Sequence, residues 1–155
     1  MVKTIIVVGK KQVIDKNPGS ESFYNFLAGY FTGKGHDTTR VRPEEFNESA
    51  VGAEYFVGHS AGTTPILQGY TPETFPNLKG IVLFDPNEGY REVWNSITIP
   101  KVSFVSTIFG RPYSLGFNDS VLLKDGHFFL NSFGGIEDTL DKLLSIQHVR
   151  ILLNG

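Results

Sequence analysis

Short apolar runs alternate with amphipathic or polar stretches along most of this chain. The longest runs are continuous and rich in β-branched residues, as in Val2 to Val8. Continuous runs of this length are typical of parallel strands that are buried on both faces. The runs that predict strands lie at residues 2–8, 38–41, 53–57, 80–84, 101–105 and 121–123.

The stretches between these runs carry helical periodicity. One helix is predicted after a polar loop at 10–20, with Ser20 as its N-cap. Its apolar face consists of Phe23, Phe26, Leu27, Tyr30 and Phe31. Further helical segments are predicted at 61–69, 91–95 and 136–149. Because strands alternate with helices at βαβ spacing, we expect an α/β fold with a doubly wound, mostly parallel sheet and helices on both faces. The length predicts one domain over residues 1–155.

A glycine-rich turn, Gly58-His59-Ser60-Ala61-Gly62, joins the strand at 53–57 to a predicted helix. G-x-S-x-G between a strand and a helix is the pattern of a nucleophile elbow. Gly58 and Gly62 have no Cβ, so both elements can approach closely on either side of Ser60. The sequence therefore predicts Ser60 as a nucleophile. The alternative is a glycine-rich turn with a solvated serine.

Other candidate residues also follow predicted strands. Gly9, Asp85 and the segment 106–118 come directly after three of them, and His127 follows the last. The carboxyl ends of parallel strands meet at one edge of the sheet, where ligands bind in open α/β folds. We therefore expect these residues to share one crevice with Ser60.

The elbow around Ser60 and the segment Gly126-His127-Phe128 resemble those of the α/β-hydrolase superfamily, over almost the whole chain. The small size is similar to that of the compact serine hydrolases related to the retinoblastoma-binding hydrolase, which have no large lid. The resemblance implies a minimal α/β-hydrolase fold. It also implies a serine esterase or acyl hydrolase with a catalytic triad that contains Ser60 and His127.

The acid of this triad has three candidates. In most of the superfamily it follows the strand after next from the serine, which is 101–105 here and has no carboxylate before Asp119. In pancreatic-type lipases it follows the very next strand, and the Asp85-Pro86 context resembles that arrangement. We therefore expect Asp85, with Asp119 as the alternative. Asp125 is a third candidate because it lies close to the histidine in sequence.

The resemblance also assigns the remaining parts of the site. It implies an oxyanion hole formed by the backbone N–H groups of Ala61 and of Lys10 or Lys11. Many members have His-Gly after the first strand, whereas this chain has Gly9 followed by the two lysines. Aromatic residues in the segment 106–118 either form an apolar substrate pocket or simply cap the end of the sheet. The pocket candidates are Phe109, Tyr113 and Phe117.

Composition narrows the function classes. The net charge is -2 without a basic run, so neither nucleic acid nor a membrane surface is an expected partner. The chain has no Cys, and no motif suggests a metal or a dinucleotide, so no cofactor is expected. It has no signal-peptide pattern and no apolar run of membrane-spanning length, which makes a cytoplasmic location the default.

The sequence thus predicts a lidless serine hydrolase that cleaves short-to-medium acyl esters. Its expected partner is a small-molecule acyl substrate. The alternative is a non-catalytic α/β-hydrolase-like protein that binds a small molecule or a partner. The missing acid at the usual strand and the missing His-Gly favour that alternative.

Overall fold

The central sheet is described by a computed structural model that covers residues 1–108 and 116–154, with side chains up to residue 146. Within these residues, six strands form one sheet in the order β2-β1-β3-β4-β5-β6, and all pair in parallel. The strands are β1 Lys3–Val7, β2 Asp37–Val41, β3 Tyr55–His59, β4 Gly80–Phe84, β5 Lys101–Ser106 and β6 Ser120–Leu123.

The strand order reverses between β1 and β3. The chain moves outward from β1 to β2 and then returns to the other side of β1, where β3 places Gly58 opposite Val7. Connections on the two sides of such a reversal diverge and leave a crevice at the carboxyl ends of the strands. Gly9 and Ser60 follow β1 and β3 at this position.

Helices cover both faces of the sheet. They are α1 Lys11–Asp15, α2 Gly19–Gly33, α3 Phe46–Ser49, α4 Thr63–Gly69, α5 Arg91–Ser96 and α6 Phe133–Asn154. In the part of the chain that is described, no helix is both long and apolar enough to cross a membrane.

The core consists of two apolar layers, one on each side of the sheet. Successive strand residues point to opposite faces, so Ile5 belongs to one layer and Ile6 to the other. Helices α3, α4 and α5 pack on the Ile5 side, and α2 and α6 pack on the Ile6 side. The predicted doubly wound, parallel α/β fold is therefore confirmed.

The segment before α2 differs from the sequence prediction. The expected loop at 10–20 contains α1, and α2 begins at Gly19 with Pro18 at its N-cap position. Ser20 is therefore not the N-cap: it is buried, and its hydroxyl donates to the Ile14 carbonyl at 3.2 Å. Helix α1 buries none of its five residues, so it leaves no apolar period in the sequence.

Candidate active site

Ser60 lies at the tip of a sharp turn between β3 and α4. Its φ is 57°, in the left-handed region that non-glycine residues rarely adopt. The preceding His59 is still extended, and the 3₁₀ turn Ser60–Gly62 leads directly into α4. Such backbone strain costs about 1–3 kcal/mol and clusters at functional sites. The turn leaves Ser60 partly exposed at the carboxyl edge of the sheet.

The two glycines of the turn sit where a side chain would collide with backbone. A Cβ on Gly62 would lie 2.2 Å from the carbonyl oxygen of Val7 in β1. A Cβ on Gly58 would lie 3.0 Å from the carbonyl oxygen of Gly62 and 3.1 Å from Cα of Thr63. The close approach predicted for these glycines is confirmed, and it holds the turn tightly against β1.

Asp85, which is buried, and His127, which is partly exposed, form a hydrogen-bonded pair at the same edge. Nδ1 of His127 lies 2.7 Å from Oδ2 of Asp85, whose residue is 4% exposed. Ser106, the last residue of β5, donates its N–H to Oδ1 at 2.7 Å and its hydroxyl to Oδ2 at 2.6 Å. Since a carboxylate only accepts, Nδ1 carries the ring proton. Nε2 is then the nitrogen that can accept a proton.

The two other acid candidates lie elsewhere. Asp119 precedes β6, and its carbonyl accepts from Ser103 N–H, so it lies at the amino end of that strand. Burial lowers the pKa of Lys101, and the Asp119 charge opposes this shift. Asp119 therefore lies toward the edge of the sheet opposite to Ser60.

Asp125 organises the loop that carries the candidate histidine. Its carboxylate accepts from the N–H groups of Gly126 and Asn131, from the Asn131 amide and from the Ser132 hydroxyl. These bonds hold the pKa of Asp125 below its usual value, although its burial opposes them. Asp125 therefore supports the loop between β6 and α6.

A buried network connects three loops of the site through His59. Its Nε2 lies 2.7 Å from the carbonyl oxygen of His127, and its Nδ1 lies 2.9 Å from the hydroxyl of Tyr24. Because a carbonyl only accepts, Nε2 carries the proton and Nδ1 accepts from Tyr24. The same hydroxyl accepts from Gly9 N–H at 3.0 Å. The network thus ties the loop after β1 and the His127 loop to the residue before Ser60.

Burial fixes the protonation states in this network. It lowers the pKa of His59 to about 3, with a further contribution from His127 and opposition from the bond to the His127 carbonyl. His59 is therefore neutral at neutral pH. Burial also raises the pKa of Tyr24 to about 12, so its hydroxyl keeps its proton. Both groups are satisfied structural partners with no proton to exchange near neutral pH.

The candidate oxyanion donors flank Ser60. A Cβ on Gly9 would lie 3.7 Å from Cβ of Ser60, so the loop after β1 passes beside the serine. Within residues 1–108 and 116–154, the N–H groups of Lys10 and Ala61 donate to no other group of the protein. Two uncommitted donors therefore lie in the two segments next to the candidate nucleophile.

A cavity of about 660 Å³ opens beside the residues that carry these two donors, and Ser60, Asp85 and His127 are not among its described lining residues. Three segments line it: residues 9–12 after β1, residues 42–44 after β2, and the α4 side from Ala61 to Gln68. We call it the basic cleft, because Lys10, Lys11 and Arg42 are among its lining residues.

The predicted aromatic pocket is not seen at Phe117. Phe117 is 5% exposed, and its ring stacks on Trp94 with centroids 6.2 Å apart, within the core layer that contains α5. The expectation for Phe117 is therefore corrected: the apolar ring is buried in the core and does not line an open pocket. Phe109 and Tyr113 lie outside the described residues.

Two functional neighbours were missed at the sequence level. Tyr24 follows Phe23 in the apolar stripe of α2, where nothing marks a polar partner. Ser106 is the last residue of β5, which lies beside β4, and Asp85 directly follows β4. Two residues at the ends of successive predicted strands are the signal that could have identified Ser106. In the covered ranges, no group of three His, Asp or Glu residues could hold a metal ion.

Comparison with known proteins identifies no family. No protein-family model matches the sequence, and no curated protein matches it. Among solved structures, the chain is similar to azoreductase from Bacillus anthracis str. Sterne, with 10% identity and a TM-score of 0.35. The match covers 95% of this chain and 99% of the azoreductase. A likeness this weak carries no argument about function.

Proposed function

We propose that this protein is a serine hydrolase of the α/β-hydrolase type that cleaves short-to-medium acyl esters or related acyl compounds. The observation that carries the proposal is the 2.7 Å bond between His127 and the buried Asp85, at the edge where Ser60 is held with a positive φ. A nucleophile on a tight turn, a base and an orienting acid are the three parts that acyl transfer by a serine requires.

The three side chains have distinct roles in the proposed reaction. The Ser60 hydroxyl attacks the acyl carbonyl while Nε2 of His127 takes its proton. The same nitrogen then gives this proton to the leaving group, which produces an acyl-enzyme. Water releases the acid by the same steps in the second half-reaction. Asp85 keeps the proton on Nδ1 and stabilises the imidazolium that forms.

The two uncommitted N–H groups support the same chemistry. A tetrahedral intermediate places negative charge on the former carbonyl oxygen, and backbone donors that are already in position stabilise it. Ala61 N–H and Lys10 N–H are the proposed donors. Each such donor contributes about 3 kcal/mol to transition-state stabilisation.

Hydrolysis of p-nitrophenyl esters with two to twelve acyl carbons tests the proposal. Each buried methylene contributes about 0.8 kcal/mol, so we expect kcat/KM to rise over the first few carbons and then to level off. Ser60→Ala should lower kcat by on the order of 10⁵-fold. Ser22→Ala, an exposed serine of α2, is the matched control and should keep full activity. Absence of turnover in folded wild-type protein, with Ser60 unreactive, would favour the non-catalytic binding protein instead.

A further inference from the structure

We infer that the basic cleft binds an anionic group of the substrate, so that the preferred substrates are acyl compounds with a carboxylate a few atoms from the scissile carbonyl. This inference rests on the proposed hydrolase function, and it specifies the substrate class of the same site.

The inference rests first on the position of the cleft beside Ser60. Gly9 and Ala61 both line it, and both lie next to Ser60, since Ala61 follows it and a Cβ on Gly9 would lie 3.7 Å from its Cβ. The cleft therefore lies next to the nucleophile, although Ser60 itself is not among its described lining residues, and its lining includes Lys10 and Ala61, the two proposed oxyanion donors. A substrate with its carbonyl at Ser60 can extend one of its two ends into this cleft.

The inference rests second on the types of residue that line the cleft. None of the described residues that line the cleft is Val, Leu, Ile, Met or an aromatic residue. The lining consists instead of three cationic side chains, the amides of Gln12 and Gln68, one carboxylate at Glu44, and small residues or prolines. Pockets for hydrocarbon chains are predominantly apolar. The alkyl stems and prolines of this lining can contact a short acyl chain, and its cations and amides can bind a charged or strongly hydrogen-bonding group at the end of that chain.

The ion pairs show which cation is available to a ligand. Arg42 Nε lies 3.7 Å from Glu44 and 3.3 Å from Glu45, so acidic neighbours offset its charge. Lys11 lies 3.7 Å from Asp15. Lys10 forms no ion pair with any residue in the described ranges. Its ammonium is thus the uncompensated positive charge among the described residues that line the cleft.

The expected effect is moderate. A hydrogen bond to a charged group strengthens binding more than a neutral one, but an ion pair at an exposed lysine is weakened by water and salt. We expect kcat/KM for an anionic ester to exceed that for its neutral analogue by about tenfold at low ionic strength. Added salt should reduce this preference.

The experiment compares an anionic p-nitrophenyl ester with a neutral analogue of nearly the same length. They are the p-nitrophenyl monoester of adipic acid and the same compound with its free carboxylate capped as a methyl ester. The ratio of their kcat/KM values is measured in wild type, Lys10→Gln and Lys16→Gln, with the rate of Ser60→Ala subtracted as background. Lys16 is an exposed lysine that does not line the cleft, so it is the matched control. Lys10→Gln retains the backbone N–H and replaces the charged side chain by a shorter, neutral polar one.

We expect the ratio to be about ten in wild type and Lys16→Gln, and about one in Lys10→Gln. Equal rates for both esters in wild type would overturn the inference, as would a preference that survives in Lys10→Gln. If a neutral fluorophosphonate labels Ser60 while neither ester is cleaved, the hydrolase proposal stands and the anionic substrate class falls. If Ser60 does not react and neither ester is cleaved, both proposals fall.

Discussion

Replacement of Tyr24 by Phe removes a single oxygen from the centre of the network beneath the site. That oxygen accepts from Gly9 N–H at 3.0 Å and donates to His59 Nδ1 at 2.9 Å. Tyr24 is only 2% exposed, so the phenyl ring should remain in place and its packing should be preserved. Two buried polar groups then lose their partner without a change in side-chain volume.

The loss of stability follows from these two groups. A buried donor or acceptor left without a partner costs about 1–3 kcal/mol. Tyr24→Phe should therefore lower the free energy of unfolding by roughly 2–6 kcal/mol, out of a typical total of about 5–15 kcal/mol. For a domain of this size the melting temperature should fall by about 4–24 °C. The ester kcat should also fall by about tenfold, because Gly9 positions the proposed donor at Lys10.

Urea unfolding followed by circular dichroism measures the effect. Tyr90→Phe is the matched control, since the Tyr90 hydroxyl accepts from Gln68 at 2.7 Å on the exposed surface. The control should change the free energy of unfolding by less than about 0.5 kcal/mol. Equal losses in the two variants, or a loss below about 1 kcal/mol for Tyr24→Phe, would refute the reasoning about the buried network.

Three further predictions concern the acid, the turn and the buried histidine. Asp85→Asn should lower the kcat of ester hydrolysis by about 10⁴-fold, because an amide does not hold His127 in the required tautomer. Asp119→Asn should be close to wild type. If Asp119→Asn lowered kcat more than Asp85→Asn did, the triad acid would have to be reassigned. Gly62→Ala should destabilise the fold by about 3 kcal/mol or more in urea unfolding, because its Cβ would lie 2.2 Å from a backbone oxygen. The control Gly29→Ala has open space around its Cβ position, so it should be neutral or stabilising in the same assay. The pKa of His59 is lowered from 6.5 to about 3 in the folded state. Between pH 6.5 and pH 3 the unfolded chain therefore binds one more proton than the folded chain. The free energy of unfolding should fall as the pH is lowered through this range, by up to about 1.4 kcal/mol per pH unit. His59→Gln should flatten that decline, and an unchanged pH dependence of the unfolding free energy would contradict the assignment.

The sheet was predictable from the sequence because its buried strands are short, apolar and rich in β-branched residues. The parallel arrangement followed from the helices between them. Helix α1 was not predictable, since none of its residues is buried and its five residues give no period. Pro18 was missed as the start of α2 because Ser20 has the more typical capping side chain.

The candidate site was predictable where a residue directly follows a strand. Ser60 and Asp85 do so, and the structure gives both a positive φ at the carboxyl edge. The order of the residues also contained a signal against Asp119, which precedes β6 and therefore lies at the amino end of that strand. The bond between Tyr24 and His59 was not predictable, because it depends on how α2 packs beneath the turn.

The basic cleft could not be predicted from the sequence either. Its cations come from residues 10–11 and from Arg42, which are separated by some thirty positions and meet only because β2 pairs with β1. The sequence places two lysines after β1 but does not show which residues their side chains face. The segment that carries these lysines lies beside the Ser60 turn because β1 pairs with β3 in the sheet.

Covalent labelling of Ser60 tests the central claim most directly. Folded wild-type protein, Ser60→Ala and the control Ser22→Ala are treated with a neutral fluorophosphonate at neutral pH and measured by intact-protein mass spectrometry. The account predicts one adduct per chain in wild type and Ser22→Ala, on the peptide that contains Ser60, and no adduct in Ser60→Ala. An adduct that persists in Ser60→Ala, or a folded wild-type protein that remains unlabelled, would contradict it.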